Sequence, residues 1–241
     1  TKLRAGYSEG IKSPSFLEVF GGSGTVGNPN LRPEKSRGFE IGVNQEFLEK
    51  KIRVEAIFFH NRFEDLISYL SGSSPNYFNI QEVVAKGMEA TATLQLGQRV
   101  TVDGNYTYTK TEAVKAGSQG GAAFKKGKEV IRRPKHRGTL RLGYRHKNFT
   151  GNVSAQLVGD SKDVNFSESP ATRVTVKNYH RLDFNLSYRL PWKINIVRNV
   201  YLKFVTKNLS NQNYEEVFGF STPGTEVLGG LHLEFGSKQR E

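Results

Sequence analysis

Two adjacent stretches decide how this chain folds: Met88-Glu89-Ala90-Thr91-Ala92-Thr93-Leu94-Gln95-Leu96 and Val100-Thr101-Val102-Asp103-Gly104-Asn105-Tyr106-Thr107-Tyr108, joined only by Gly97-Gln98-Arg99. In each, apolar residues fall on every second position and polar ones between them. A β-strand has this period, because successive side chains point to opposite faces. Three connecting residues leave room for nothing but a hairpin. One face of the hairpin is therefore apolar, and the other carries Glu, Thr, Gln, Asp and Asn.

The same pattern runs outward in both directions. Leu3, Ala5 and Tyr7 alternate with Lys2, Arg4 and Ser8; Phe39, Ile41, Val43 and Phe47 with Glu40, Asn44 and Glu46; Ile52, Val54, Ala56 and Phe58 with Arg53 and Glu55. Toward the C-terminus, Leu140, Leu142 and Tyr144 alternate with Arg141 and Arg145, and Val153, Ala155 and Leu157 with Asn152, Ser154 and Gln156. Leu182, Phe184, Leu186 and Tyr188 oppose Arg181, Asp183, Asn185, Ser187 and Arg189. Val200, Leu202 and Phe204 oppose Lys203, and Val227, Leu231, Leu233 and Phe235 oppose Glu226, His232 and Glu234. This predicts about ten strands of about ten residues each. Apolar residues at helical spacing are missing, except for one short turn within Pro14–Phe20.

The connections alternate between short and long. Short ones fall near residues 49–50, 97–99 and 147–148, with a longer one at 191–198. Long ones run about 9–34, 66–77, 112–134, 160–177 and 211–222, rich in Gly, Ser, Pro and Asn. An up-and-down barrel in a membrane has this short/long rhythm, with an apolar outer face, a polar lumen and aromatic girdles at both interfaces. Tyr7, Phe47, Tyr108, Tyr144, Phe149, Tyr179, Tyr188 and Phe235 stand toward strand ends, where girdle residues belong. A soluble β-sandwich would mix its connection lengths. The pattern therefore reads as all-β: an antiparallel up-and-down transmembrane β-barrel segment whose long loops lie outside and whose last strand returns to the periplasmic side.

Composition narrows the function. The 241 residues include no cysteine, so neither a disulfide framework nor a thiolate metal site or nucleophile is available. With 11% aromatics the chain is not a disordered polymer. No apolar run reaches the ~20 residues of a membrane helix. Thr1-Lys2-Leu3-Arg4 leads straight into alternation and reads as strand, not as a leader. The formal net charge is +12. Its densest stretch, Lys125 to Arg137, is broken by Gly, Glu and Pro, and the remaining basic residues alternate with apolar ones. The charge thus reads as solvated and gives no nucleic-acid site. His60, His136, His146, His180 and His232 lack the spacing of a metal motif, and no phosphate loop or nucleophile elbow occurs. The expectation is no catalytic residue, no metal site and no cofactor.

Several stretches, in order along the chain, resemble the C-terminal part of the barrel of TonB-dependent outer-membrane receptors (the siderophore and cobalamin receptor family). They are Tyr7 to Leu17; Gly27-Asn28-Pro29-Asn30-Leu31-Arg32-Pro33-Glu34-Lys35-Ser36, the most diagnostic; Asn79 with Lys86-Gly87-Met88-Glu89-Ala90; Arg132-Arg133-Pro134-Lys135-His136-Arg137-Gly138; Lys207 to Glu216; and Gly219 to Gly224. Ser210 stands where the family usually has Phe, and Thr225 where Arg often follows Pro-Gly. The resemblance implies that about ten strands here belong to a 22-stranded barrel, with residues 1–235 as its C-terminal part, a C-terminal box at about 218–235, and a polar tail at 236–241. It implies the outer membrane of a Gram-negative bacterium, with lipid and lipopolysaccharide around the wall. TonB and a plug domain would be partners through a region not included in these residues. The function implied is TonB-energised uptake of a ferric siderophore, cobalamin or a similar scarce nutrient. Phe235 would be the terminal aromatic of the membrane-assembly signal.

Two sets of site residues follow. Lys125, Lys126, Lys128, Arg132 and Arg133 in an outer loop would offer positive charge to an anionic ligand. Tyr69, Tyr77, Phe78, Phe124, Tyr214 and Phe218 in outer loops are candidates to pack on a planar chelate. Arg141, Arg145, Asp183, Arg189 and Lys203, on the polar face by alternation, would face the plug. Two alternatives remain at this stage: a complete small outer-membrane barrel, enzyme or porin, and a soluble β-sandwich binding module.

Overall fold

Residues 1–69, 72–115, 122, 125–192 and 196–236 are described by the structure, a computed structural model. The expected strands all form. They are β1 (Lys2–Lys12), β2 (Glu34–Phe47), β3 (Ile52–Tyr69), β4 (Tyr77–Leu96), β5 (Val100–Lys115), β6 (His136–His146), β7 (Phe149–Val158), β10 (Tyr179–Leu190), β11 (Val197–Lys207) and β14 (Glu226–Phe235). Two hairpins stand apart from the main sheet: β8 (Ser161–Asn165) with β9 (Thr172–Val176), and β12 (Glu215–Val217) with β13 (Phe220–Ser221). The expected turn after β1 is a five-residue helix, α1 (Phe16–Phe20).

The ten long strands make one sheet in the order β1-β2-β3-β4-β5-β6-β7-β10-β11-β14, every pair antiparallel. Each strand lies beside its neighbours in sequence, the up-and-down connectivity that the loop rhythm predicts. The register keeps one face apolar across the whole sheet. A single cross-strand row runs Phe47–Ile52–Leu94–Val102–Leu142–Val153–Phe184 over seven strands. A one-residue slip anywhere would carry a strand's apolar set to the other face.

That apolar face is not covered by a second layer. The accessible surface is 16185 Å², whereas a compact monomer of this mass exposes only about 10,800 Å². Leu140, Leu142, Leu157, Leu202 and Leu231 are each at least half exposed, and every strand of the sheet has a large apolar residue on this face that is at least 40% exposed. A sandwich would bury them against a facing sheet. The β-sandwich alternative is thus excluded by the missing layer.

Three strands are longer than the sequence pattern predicts. β3 has 18 residues, β4 has 20 and β5 has 16. A tilted strand needs only about 9–11 residues to cross a bilayer. The outer parts of β3–β5 therefore project beyond the apolar belt, where the alternation fades and Glu82 and Thr111 are buried along with Val83 and Ala113. The small hairpins escape notice for the same reason. Tyr179 also departs from the girdle pattern. It lies on the polar face, where its ring stacks on Tyr214 at 4.1 Å and its hydroxyl donates to Glu216 at 2.9 Å.

The candidate binding face at the loop end of the sheet

All long connections lie at one end of the sheet and all short ones at the other. At the loop end, the stretch before β6, the β8–β9 hairpin and the segment between β11 and β14 are joined at one buried carboxylate. Asp163 is 0% exposed. Its Oδ1 accepts from Arg132 Nε at 3.0 Å and from the Val164 amide at 2.8 Å, and its Oδ2 from the Phe218 amide at 2.9 Å. A carboxylate withdrawn from water needs such a full set of donors. Arg173 adds further ties, donating to the Ala122 carbonyl at 3.0 Å and the Glu129 carbonyl at 2.7 Å.

This geometry sorts the five basic residues expected to meet a ligand. Arg132 is committed to Asp163, and its positive φ of 57° bends the chain toward β8, where its amide donates to the Lys162 carbonyl. Lys125, Lys126, Lys128 and Arg133 are exposed. Close by, Lys135 is engaged by Glu129 at 2.5 Å, a contact that raises its pKa above the usual lysine value. A cleft of about 440 Å³ opens in this cluster, lined by Lys177, Asn178, Gln212, Tyr214 and Phe218 among others. Tyr214 and Phe218 thus share one concavity. Tyr69 and Tyr77 meet edge to face at 5.3 Å on the β3–β4 tip, and Phe78 follows. Phe124 lies outside the described residues.

The residues carrying the resemblance tie the loops to the wall. Asn28 accepts from the Asn30 amide and donates to the Tyr77 carbonyl at 2.8 Å. Asn79 accepts from the Arg32 amide at 2.8 Å and donates to the carbonyls of Arg32 and Asp65. Arg32 also pairs with Asp65 at 2.5 Å. Asn208, in the left-handed region at φ 50°, donates to the carbonyls of Gln212 and Pro223 and accepts from the Gln212 amide. Thr225 donates its hydroxyl to the Asn208 carbonyl at 2.8 Å.

On the polar face, Arg141 and Arg145 line one hollow of about 250 Å³ with Arg99 and Asp103, near the short turns. Arg189 donates twice to the Asn148 side chain, at 3.1 and 2.8 Å. Asp183 already accepts from Arg181 at 3.1 Å and from the Asn208 amide at 2.9 Å. Lys203 sits opposite Ser187 and Gly230 on the same face. All five residues share this face, and Arg141 and Arg145 share a hollow. Glu40 and Glu89, which sequence reasoning had not singled out, also stand on it and line a smaller hollow with Ser8 and Asn61. Phe235 is exposed at the end of β14. The expected tail at 236–241 falls outside the described residues beyond Gly236.

A family model described as "TonB dependent receptor-like, beta-barrel" matches residues 1–203. The chain belongs to this family. Solved structures agree on the fold. The copper transporter OprC superposes with a TM-score of 0.71 at 20% identity, covering 95% of this chain and 36% of that one. The siderophore receptor PirA from Acinetobacter baumannii gives 0.71 at 17% identity, covering 95% and 38%. The ferripyoverdine receptor of the outer membrane of Pseudomonas aeruginosa, bound to ferripyoverdine, gives 0.67 at 17%, covering 95% and 30%. The chain thus spans about a third of the length of these receptors, and its sheet corresponds to part of a barrel wall. The family and these neighbours are transport receptors, not enzymes, so the alternative of a barrel enzyme falls.

Proposed function

We propose that this chain supplies wall and outer binding surface to an outer-membrane receptor that imports a metal-bearing nutrient, a ferric siderophore foremost, with energy from TonB. The observation that carries this reading is the one-sided loop cluster on a TonB-dependent receptor wall. Lys125, Lys126, Lys128 and Arg133 stand exposed there beside an aromatic cleft. Anionic chelates with flat aromatic parts suit such a surface, since cations attract them and rings stack on them. Cobalamin is the second ligand class, and the copper neighbour adds metal cargo without a siderophore.

In the mechanism, the loops capture the ligand and hand it to a plug filling the lumen. Arg141, Arg145 and Lys203 hydrogen-bond that plug from the polar face, Asp183 and Arg189, held by Arg181, Asn208 and Asn148, shape the same surface, and TonB pulls on the plug from the periplasm. No bond of the cargo needs to break. The decisive experiment measures uptake of labelled ferric siderophores and cobalamin by cells carrying the intact receptor, with and without functional TonB. Uptake of one ligand only when both receptor and TonB are present is the expected result. Uptake unaffected by loss of either overturns the reading.

A further inference from the structure

Four arginines recur at every fourth residue: Arg133, Arg137, Arg141 and Arg145. The last three lie on β6, where an even spacing keeps them on one side of the strand. That side is the polar one, since Arg137 is directly opposite Thr107, Arg141 is opposite Asp103 and Ser154, and Arg145 is opposite Thr150. At the rise of a strand the steps are about 13 Å. β6 runs from the loop end to the short-turn end, so the series crosses the polar face, with Arg133 in the exposed basic loop above it. At the lower end Arg99 joins Arg141 and Arg145 in the hollow of about 250 Å³, and Gly143 leaves the floor between those two without a side chain.

These guanidinium groups are free. Among the described residues, Arg99, Arg133, Arg137, Arg141 and Arg145 have no side-chain hydrogen bond and no carboxylate within ion-pair distance. Asp103 faces Arg141 across the strands, yet it accepts instead from the Thr93 hydroxyl at 3.1 Å. Other arginines on the same face are taken: Arg4 by Glu55 at 2.9 Å, Arg181 by Asp183 at 3.1 Å and Arg189 by Asn148 at 2.8 Å. On the far side of the series, β7 turns only Thr150, Asn152, Ser154 and Gln156 to this face, without a charge. Glu40 and Glu89 line a separate hollow toward β2. Positive charge is thus segregated into one lane along β6. Steps of about 13 Å exceed the ~8 Å screening length, so the arginines tolerate one another without acids between them.

We propose that Arg137, Arg141 and Arg145, with Arg99 at the lower end, form a track that passes an anionic metal chelate through the lumen once the plug has moved. This rests on the import reading above. With the plug in place, Arg141 and Arg145 hold it. When TonB draws it aside, their freed forks take the chelate's oxygens, for which a planar set of five donors is suited. The exposed cations of the outer loop capture the same charge that the track then conducts. Unpaired arginines at successive levels give a departing anion a next partner before it leaves the last. A neutral cargo gains nothing from them.

The test follows labelled iron into cells carrying the intact receptor, as an anionic tris-catecholate chelate and as a neutral trihydroxamate chelate. Binding is read with TonB inactive, and import rate with TonB active. Arg137→Gln/Arg141→Gln/Arg145→Gln should leave surface binding of the anionic chelate intact and slow its import about tenfold. Arg137→Lys/Arg141→Lys/Arg145→Lys should keep most of the rate, and import of the neutral chelate should not change. Arg137→Gln by itself should slow anionic import about twofold, which keeps the test decisive if the triple variant fails to reach the membrane. A wild-type import rate in either Gln variant, present and compact on unheated gels, overturns the proposal. Equal slowing of both chelates, or entry of vancomycin through the Gln variant, also overturns it, because a badly seated plug then explains the loss. A wild type that imports only a neutral ligand, trihydroxamate or cobalamin, overturns the track and leaves the import reading standing. A wild type that imports none of the three overturns both.

Discussion

At the scale of single residues, two positions show how tightly the wall is specified. Gly87 sits where β4 approaches β5 so closely that a Cβ would lie 1.9 Å from the Tyr108 carbonyl oxygen and 2.9 Å from the Phe59 ring. A backbone oxygen cannot step aside as a flexible side chain can. Gly87→Ala should therefore cost about 1–3 kcal/mol, read as a lower thermal unfolding midpoint of the intact receptor in detergent; an unchanged midpoint would refute the steric argument. Asp163 is the second position. Asp163→Ala strands the amides of Val164 and Phe218 and leaves Arg132 unpaired. Breaking a buried pair costs about 3–5 kcal/mol. Arg132 is 43% exposed, so the loss belongs near the low end of that range. Hydrogen exchange should accelerate together in three places: before β6, in the β8–β9 hairpin and around Phe218. Acceleration in the hairpin alone would show that the three are independent.

At the scale of elements, α1 is too short to persist by propensity and depends on its cap. The Ser15 amide donates to the Glu18 carboxylate at 2.6 Å, and the Glu18 amide to Ser15 Oγ at 3.4 Å. Burial by itself pushes the Glu18 carboxyl up, but the Ser15 hydrogen bonds and the Lys12 ammonium outweigh it and hold its pKa below the ordinary 4.5. A carboxylate with a depressed folded pKa stabilises fully above its unfolded value, and that stabilisation is lost as pH falls through the folded value. Amide protection in α1 should drop as pH falls below about 4.5, and Glu18→Gln should remove this dependence. A pH-dependent loss that persists in Glu18→Gln would place its origin elsewhere. The outer loop segment 125–133 makes a separate prediction. Lys125→Gln/Lys126→Gln/Lys128→Gln should weaken binding of an anionic ferric chelate by roughly tenfold, with a shallower salt dependence, measured by titration of the intact receptor. A neutral ligand should not respond.

At the scale of the whole molecule, the single-layer sheet dictates behaviour. Its apolar face is uncovered, and β1 and β14 are edge strands with unpaired backbone groups. Expressed by itself, the 241-residue chain should aggregate in buffer and disperse only in detergent, as size-exclusion chromatography will read. A monodisperse detergent-free monomer would contradict a lipid-facing wall.

The alternation in Met88–Leu96 and Val100–Tyr108, with three residues between, was enough to give strand, hairpin and apolar face, because those are properties of neighbouring residues with a period of two. Repeated through the chain, it also determined the up-and-down order, since short connections can join only adjacent strands. Beyond the apolar belt the alternation fades, because packing among the loops buries polar Glu82, Thr111 and Asp163 as well as Val83 and Ala113, so the outer halves of β3–β5 and the two small hairpins were not legible. Arg132 and Lys126 look alike in sequence, yet one is tied to a buried carboxylate 31 positions away and the other is exposed. Asp183 likewise looked free until Arg181 and Asn208 were placed around it. The sequence by itself determined the wall, because a strand's two faces are written locally. Only the tertiary structure decided which charges are available, because pairing depends on residues brought together from distant loops.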